Sequence, residues 1–435
     1  MALLTFRGGV HPPDHKELSA GAEIRELPAP KLLYIPLSQH IGAPCNAVVE
    51  AGQEVKRGEL IGEPTGFVSS PVHSSVSGTV KEITTIANPM GRTVPTVVIE
   101  NDGKDEWAPL KDTPEYMSLS PEELKEKIKD AGIVGMGGAT FPTHVKLSPP
   151  KEKPVDVVII NGAECEPYLT ADHRLMVERP EDVIEGLKIL MRVLGVSQGH
   201  VGIESNKPDA IEKMKAAASG EPGIEVHALE VKYPQGAEKM LIKAILDRDV
   251  PAGGLPMDVG VVVQNVGTAV AIYEACRYGK PLIERVVTVT GEGVKNPSNL
   301  LARIGTPIRE LIEDCGGLTD SPKKVILGGP MMGFATFDLD LPVMKGTSGV
   351  LVLSEREYVD SEKFGPCIRC GRCIDACPMG LMPSMLSIFA EKGHYEDTKE
   401  YNIFDCFECG TCTYVCPAKR PIVQLIRLAK SMVKR

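Results

Sequence analysis

The run Cys367-Ile-Arg-Cys370-Gly-Arg-Cys373-Ile-Asp-Ala-Cys377-Pro378 returns as Cys406-Phe-Glu-Cys409-Gly-Thr-Cys412-Thr-Tyr-Val-Cys416-Pro417, and this pair decides how the chain is read. Each cysteine of the first run has a counterpart 39 positions later. This is the ligand spacing of two [4Fe–4S] clusters: three thiolates come from one tight loop, and the fourth, just before proline, ligates the other cluster. The frame groups Cys367, Cys370, Cys373 and Cys416 on one cluster, and Cys406, Cys409, Cys412 and Cys377 on the other. A disulfide framework would need an oxidising compartment, which nothing in the chain signals. Structural zinc uses cysteines in two pairs rather than four in one run followed by proline. Cys45, Cys165, Cys276 and Cys315 share no ligand spacing; Cys45, Cys276 and Cys315 read as ordinary buried small residues, and Cys165 is taken up again below.

Working outward, 435 residues predict several domains, and 43% hydrophobic with 24% charged residues marks a globular chain. A net charge of -10 and an aromatic content of 5% argue against a nucleic-acid partner, which needs clustered cations or stacking platforms. The N-terminus carries no charged-then-apolar leader. The apolar runs at 155–160 and 259–263 are too short to cross a bilayer. The expectation is a soluble or peripheral protein in a reducing compartment.

Residues 1–29 read as a shaped arm, because Gly8, Gly9, Pro12 and Pro13 forbid a regular helix. His11 and His15 lack the supporting ligands of a metal site. Residues 30–105 hold short Val-, Ile- and Thr-rich strands at 32–36, 47–49, 59–62, 78–83 and 95–100. The segments from Glu50 and Val72 resemble the lipoyl/biotinyl barrel-sandwich fold. The tip at 71–75, where that family places its modified lysine, holds His73 instead, so the module reads as a scaffold. Residues 107–120 read as a linker.

Residues 120–280 alternate helices (122–131, 180–194, 208–218 and one through 246) with strands (155–160, 200–204, 225–229 and 259–263), which predicts a mostly parallel sheet with its loops at one edge. Residues 281–350 read as a smaller α+β unit in which Gly328-Gly329, after the strand at 325–327, forms a tight turn rather than a ligand loop. Residues 360–420 form the cluster domain; a helix at 383–392 between the cysteine runs makes it a helical ferredoxin. The tail 421–435 places Ile422, Leu425, Ile426, Ala429 and Val433 on one stripe, with Arg427, Lys430, Lys434 and Arg435 around it. Such a helix packs on its own domain, a partner or an acidic membrane surface.

Two loops stand out for chemistry. Three glycines in Gly135-Met-Gly-Gly-Ala-Thr-Phe-Pro-Thr-His-Val-Lys146 let main-chain N–H groups approach a phosphate or flat ring, and Lys146 adds a positive charge. The spacing is not that of the dinucleotide fingerprint. The loop Asn161-Gly-Ala-Glu-Cys-Glu-Pro167 sets an amide and two carboxylates behind a buried-type strand.

With Gly236-Ala-Glu238 and Asn265-Val-Gly-Thr268, these motifs resemble the flavin and NADH loops of the NADH-oxidising subunit of respiratory complex I. The resemblance to the C subunit of Rnf (Rsx) electron-transport complexes is closer. It takes in the Phe6-Arg-Gly-Gly-Val-His-Pro-Pro arm, the lysine-less barrel-sandwich module, an SLBB unit at 281–350 and the paired ferredoxin motifs, in order over essentially the whole chain. It implies FMN against Gly135, Gly137 and Gly138, with Lys146 near its phosphate. It also implies a pocket lined by Asn161, Glu164, Cys165, Gly236, Gln264, Asn265 and Thr268, with Phe141, Glu166 and Glu238 contacting NADH. Thr140, Ala163, Cys165 and Ala237 depart from the complex I pattern, where a glycine, an acid, a serine and a glutamate stand.

The function implied is an oxidoreductase subunit for NADH and ferredoxin:NAD⁺ electron exchange, with FMN and two [4Fe–4S] clusters as cofactors and NAD(H) as substrate. Hydride passes to the flavin, so no catalytic acid–base residue is expected. The implied setting is the cytoplasmic face of a membrane, peripheral. The implied partners are a ferredoxin-like cluster subunit and the membrane subunits that move Na⁺ or H⁺, with ferredoxin engaged indirectly. Two other readings stand beside it: a soluble corrinoid reductase of similar layout, and a cluster-only electron-transfer adaptor.

Overall fold

A computed structural model of the chain describes residues 3–88, 91–358 and 364–434. The expected start of the cluster domain at 360, the first residues of the arm and Arg435 lie outside the described residues.

At the centre, strands Ile224–Leu229, Gln198–Glu204, Val157–Gly162 and Val261–Asn265 lie side by side in that order, all parallel. Helices cover both faces, so Val157, Val158, Ile159 and Ile160 are all buried, as a near-continuous apolar strand requires. Helix Pro180–Leu194 opens on proline and two acids and stops at the left-handed Gly195. Helix Val266–Tyr278, which the sequence pattern did not reveal, follows the fourth strand directly; the Asn265 side chain caps it by accepting from Gly267 N–H at 2.8 Å. Most of that helix is buried, so it shows no amphipathic stripe. The loop 161–167 and the start of this helix both sit at the C-terminal ends of the strands, which gathers the candidate residues at one edge.

The N-terminal module pairs the sheet Leu32–Pro36, Thr93–Asn101, Gly78–Ala87, Glu54–Val55 with a three-stranded sheet Cys45–Ala47, Leu60–Pro64, Val72–His73. Its tip is not free. Ser69, Ser70, His73, Ser74, Ser75 and Ser77 are buried. The buried Lys345 ammonium donates to Pro71 O at 2.8 Å and Gly132 O at 2.7 Å, stitching the tip to the two following units. Arg57 and Arg303 share Asp105 and Glu284 across the same junction.

The third unit is a six-stranded sheet ordered Ile24–Glu26, Ser298–Arg303, Glu284–Thr290, Gly349–Ser354, Pro322–Leu327, Phe334–Thr336. Its first strand comes from the arm, paired parallel to Ser298–Arg303. The arm is therefore a structural tie rather than a loose leader: Gly9 N–H donates to Ala376 O at 2.9 Å, and Val10 exchanges backbone bonds with Tyr233.

The cluster domain is helical. Helices Pro383–Glu391 and Ile422–Met432 enclose a core of Leu386, Ala390, Ile403, Ile422, Ile426 and Ala429. The tail's apolar stripe is thus used internally. Two of its cations are engaged: Arg427 and Lys430 pair with Glu408 at 2.9 and 2.8 Å, and Lys430 Nζ reaches Cys406 O at 2.5 Å. Among the described residues no helix is long and apolar enough to cross a membrane.

Candidate flavin and cluster site

The glycine loop closes on itself through Gly135 N–H to Phe141 O at 2.9 Å. It is pinned to the capped helix where Met136 N–H donates to Thr268 Oγ1 at 2.9 Å. A Cβ on Gly137 would meet the Asn265 side chain at 2.8 Å, so only glycine allows this approach, whereas Gly138 faces open space. Thr140 is held at φ 54°, a left-handed conformation costly for a β-branched residue.

Asn161 Nδ2 donates to Gly236 O at 2.7 Å, and Gly236 N–H donates to Cys165 Sγ at 3.2 Å. The three residues form one wall. Burial pushes the Cys165 thiol well above its ordinary range, so it stays protonated and packs as a small residue. Glu164 accepts from Asp172 N–H at 2.7 Å and His173 N–H at 3.2 Å, capping helix Ala171–Glu178. Asp172 in turn accepts from Asn265 Nδ2 at 2.6 Å. Burial first, and then the nearby Glu164, raise the Asp172 carboxyl, while Asp172 supports the charge of the buried Arg285. Asp172 and Arg285 were not among the residues read from sequence; a lone arginine in the apolar strand Glu284–Thr290 was the available signal.

Lys146 and Glu238 are joined at 2.7 Å, and Lys146 Nζ also reaches Val263 O at 2.6 Å. Gln264 is buried, and neither its Oε1 nor its Nε2 has a partner; Gln235, next to Gly236 in the chain, shares this state. Native interiors rarely leave an amide so, which marks these side chains as poised for a polar ligand. With the open face at Gly138, the residues fit a flavin.

Glu166 differs from its expected contact with the nucleotide. Its carboxylate accepts from Met331 N–H at 3.0 Å and Met332 N–H at 2.9 Å. A Cβ on Gly329 would collide with that carboxylate. Gly329 lets the chain pass close beside Glu166, and the Met331 and Met332 N–H groups that follow hold this internal acid.

Tyr233 bridges to the clusters: its hydroxyl donates to Cys409 O at 2.7 Å. Cys377 lies near enough to Cys406, Cys409 and Cys412 for its charge to bear on all three, while Cys367 bears on Cys373. Burial pushes Cys406 up to about 11 and raises Cys373, Cys409 and Cys412 too. A thiolate at these positions needs a cationic group to hold it, which suits an iron cluster. Cys370 is exposed, whereas Cys409 and Cys412 are buried against the rest of the chain.

Four family models match in sequence: the RnfC barrel sandwich hybrid domain at 4–104, the Nuo51 FMN-binding domain at 128–274, the SLBB domain at 286–335 and a 4Fe-4S dicluster domain at 366–419. The chain is 53% identical to the C subunit of the proton-translocating ferredoxin:NAD(+) oxidoreductase complex of Clostridium ljungdahlii, over 99% of this chain and 94% of that protein. It is 48% identical to the C subunit of the Na(+)-translocating ferredoxin:NAD(+) oxidoreductase complex of Acetobacterium woodii, over 98% and 96%. An NAD+-reducing [NiFe]-hydrogenase in the air-oxidized state is similar in fold, with a TM-score of 0.51 and 18% identity, over 74% of this chain and 65% of that one.

Proposed function

Because the chain belongs to the family of C subunits of ion-translocating ferredoxin:NAD(+) oxidoreductase complexes, we propose that it is the NAD(H)-reactive subunit of such a complex. The carrying observation is the continuous link from the flavin-type loops, through Tyr233, to the buried cysteine set. A flavin exchanges electron pairs with nicotinamide and single electrons with iron–sulfur clusters, which neither partner does alone.

The chain's own residues supply position and field. Gly135, Gly137 and Gly138 form the floor for the flavin, and Asn161, Cys165 and Gly236 one wall. Gln264 offers both a donor and an acceptor. Asn265 and Thr268 hold the floor in place, and Glu164 acts through Asp172 on the far side. Lys146, released from Glu238, meets a phosphate. Glu238 and Phe141 face the nicotinamide nucleotide. Glu166 supports the site from behind by fixing the 329–332 loop. Cys377 with Cys406, Cys409 and Cys412 holds the cluster nearer the flavin. Cys416 with Cys367, Cys370 and Cys373 holds the outer one, whose exposed Cys370 suits exchange with a ferredoxin-like partner subunit. Ion movement belongs to membrane subunits, and the chain works as a peripheral component on the cytoplasmic face.

Anaerobic purification with iron and flavin counts tests this reading. About eight irons and one FMN per chain are expected, with flavin bleaching on NADH addition before cluster bleaching. A flavin-free protein that takes no electrons from NADH defeats it and favours the adaptor. Cobalamin reduction without any membrane partner favours the corrinoid reductase.

A further inference from the structure

Outside this site, the parallel sheet carries a second cluster of ligand-type side chains. His200 lies directly opposite Glu225 in the register of neighbouring strands, and His227 follows Glu225 by two residues. Strand alternation therefore puts all three side chains on one face. Their ligand atoms lie within 4.8 Å of one another. His200 Nδ1 is 2.9 Å from His227 Nε2, and Glu225 Oε2 is 3.7 Å from the same nitrogen.

The face is open at this point. A Cβ on Gly202, two residues along from His200, would meet Leu241 and Ile245, so the helix Glu238–Leu246 covers the sheet there. Beyond it His200 and His227 are half-buried and Glu225 is exposed. Arg248 and Lys215 are the neighbouring cations. Arg248 is neutralised by a two-pronged pair with Asp156 at 2.7 Å. Burial lowers both imidazoles from their ordinary range, which keeps them neutral and able to ligate near pH 7.

We propose that His200, His227 and Glu225 form a binding site for a divalent transition ion of the zinc type, clipping the edge strand Ile224–Leu229 to its neighbour. Two imidazoles and a carboxylate are the donor set that zinc prefers over magnesium or calcium. Nitrogens bound to one zinc at about 2.0–2.1 Å and a tetrahedral angle stand about 3.3 Å apart. The His–His separation needs to open by only a few tenths of an ångström to reach that, and the exposed side leaves room for water as the fourth ligand. The site lies toward the N-terminal edge of the sheet, whereas the flavin-type loops leave its C-terminal edge. A structural role is therefore expected, not a catalytic one.

The test uses cluster- and flavin-replete protein dialysed anaerobically against Zn²⁺, with zinc and iron counted together. The wild type should take up one zinc per chain more than a His200→Gln/His227→Gln double variant, with no loss of iron. Uptake should fall from about pH 7.5 to about pH 5.5 as the imidazoles protonate. The exposed Glu225→Gln should bind at least about tenfold more weakly and decides the matter if the double variant loses its cofactors. Flavin reduction by NADH should not change in any variant. Equal zinc affinity of wild type and Glu225→Gln, or equal zinc uptake by wild type and a cofactor-replete double variant, overturns the proposal.

Discussion

The Tyr233 hydroxyl donates to the carbonyl oxygen of Cys409 at 2.7 Å, so a residue of the flavin-side loop touches the backbone of a cysteine proposed to ligate a cluster. Tyr233 is buried at the meeting point of the arm, the loop 161–167 and the second cysteine run. Tyr233→Phe keeps the ring and removes the donor, leaving a buried carbonyl unpaired at a cost of about 1–3 kcal/mol. Flavin reduction by NADH should be nearly unchanged, while the following cluster reduction slows or its potential shifts. Stopped-flow absorbance separates the two phases; a loss confined to the first phase would argue against a linking role.

The proposed crossing of Cys377 and Cys416 between the two clusters predicts an exchange of damage. Cys377→Ser should lose the cluster of the second run and keep that of the first, and Cys416→Ser should do the reverse. Each should retain about four irons per chain instead of about eight, with distinct paramagnetic signals for the survivors. Cys377→Ser should also break NADH-to-cluster transfer more completely, because Cys409, its proposed partner on the same cluster, is hydrogen-bonded to Tyr233. Identical residual signals in the two variants would rule out the exchange.

Much of this architecture is legible from residue patterns, and the exceptions have physical causes. Helix Pro180–Leu194 is marked at both ends by proline and glycine, and its apolar stripe is clear. Helix Val266–Tyr278 is enclosed nearly all round, so no polar face announces it. The arm's strand Ile24–Glu26 pairs with Asn299, Leu300 and Leu301, far along the chain, which no local period encodes. At the site, composition singles out the loops but not what their side chains do. Glu164 and Glu166 look alike in sequence. One caps a helix and the other fixes the 329–332 loop, because their partners come from distant segments.

Gln264, on the strand that leads into the candidate flavin site, carries the signature of a side chain not yet paired. Replacing it with methionine removes the unpartnered amide while keeping its bulk. The flavin-free protein should be as stable as the wild type or about 1 kcal/mol more so, since no buried polar group is left wanting. Flavin affinity should fall by about tenfold or more, the equivalent of one lost hydrogen-bonding side chain. Fluorescence titration of the deflavinated protein with FMN gives the affinity, and thermal melting of the same sample gives the stability. Unchanged affinity would mean that the amide does not meet the flavin.

Glu166 supplies a dependence on pH. Burial pushes its carboxyl from 4.5 up to about 7, against the Met331 and Met332 N–H groups and Lys16, which favour the charged form. The folded chain thus binds this proton more tightly than the unfolded chain. The resulting stability is fully present below 4.5 and is lost as pH rises to about 7. The loss is at most roughly 3 kcal/mol, reduced by the water that still reaches this partly exposed residue. Glu166→Gln mimics the protonated acid and keeps one acceptor for the Met331–Met332 turn, so that part of the slope should vanish. Melting temperatures between about pH 5 and pH 8 measure it. Parallel slopes in wild type and variant would show that the Glu166 proton is not linked to folding, and that another group sets the dependence.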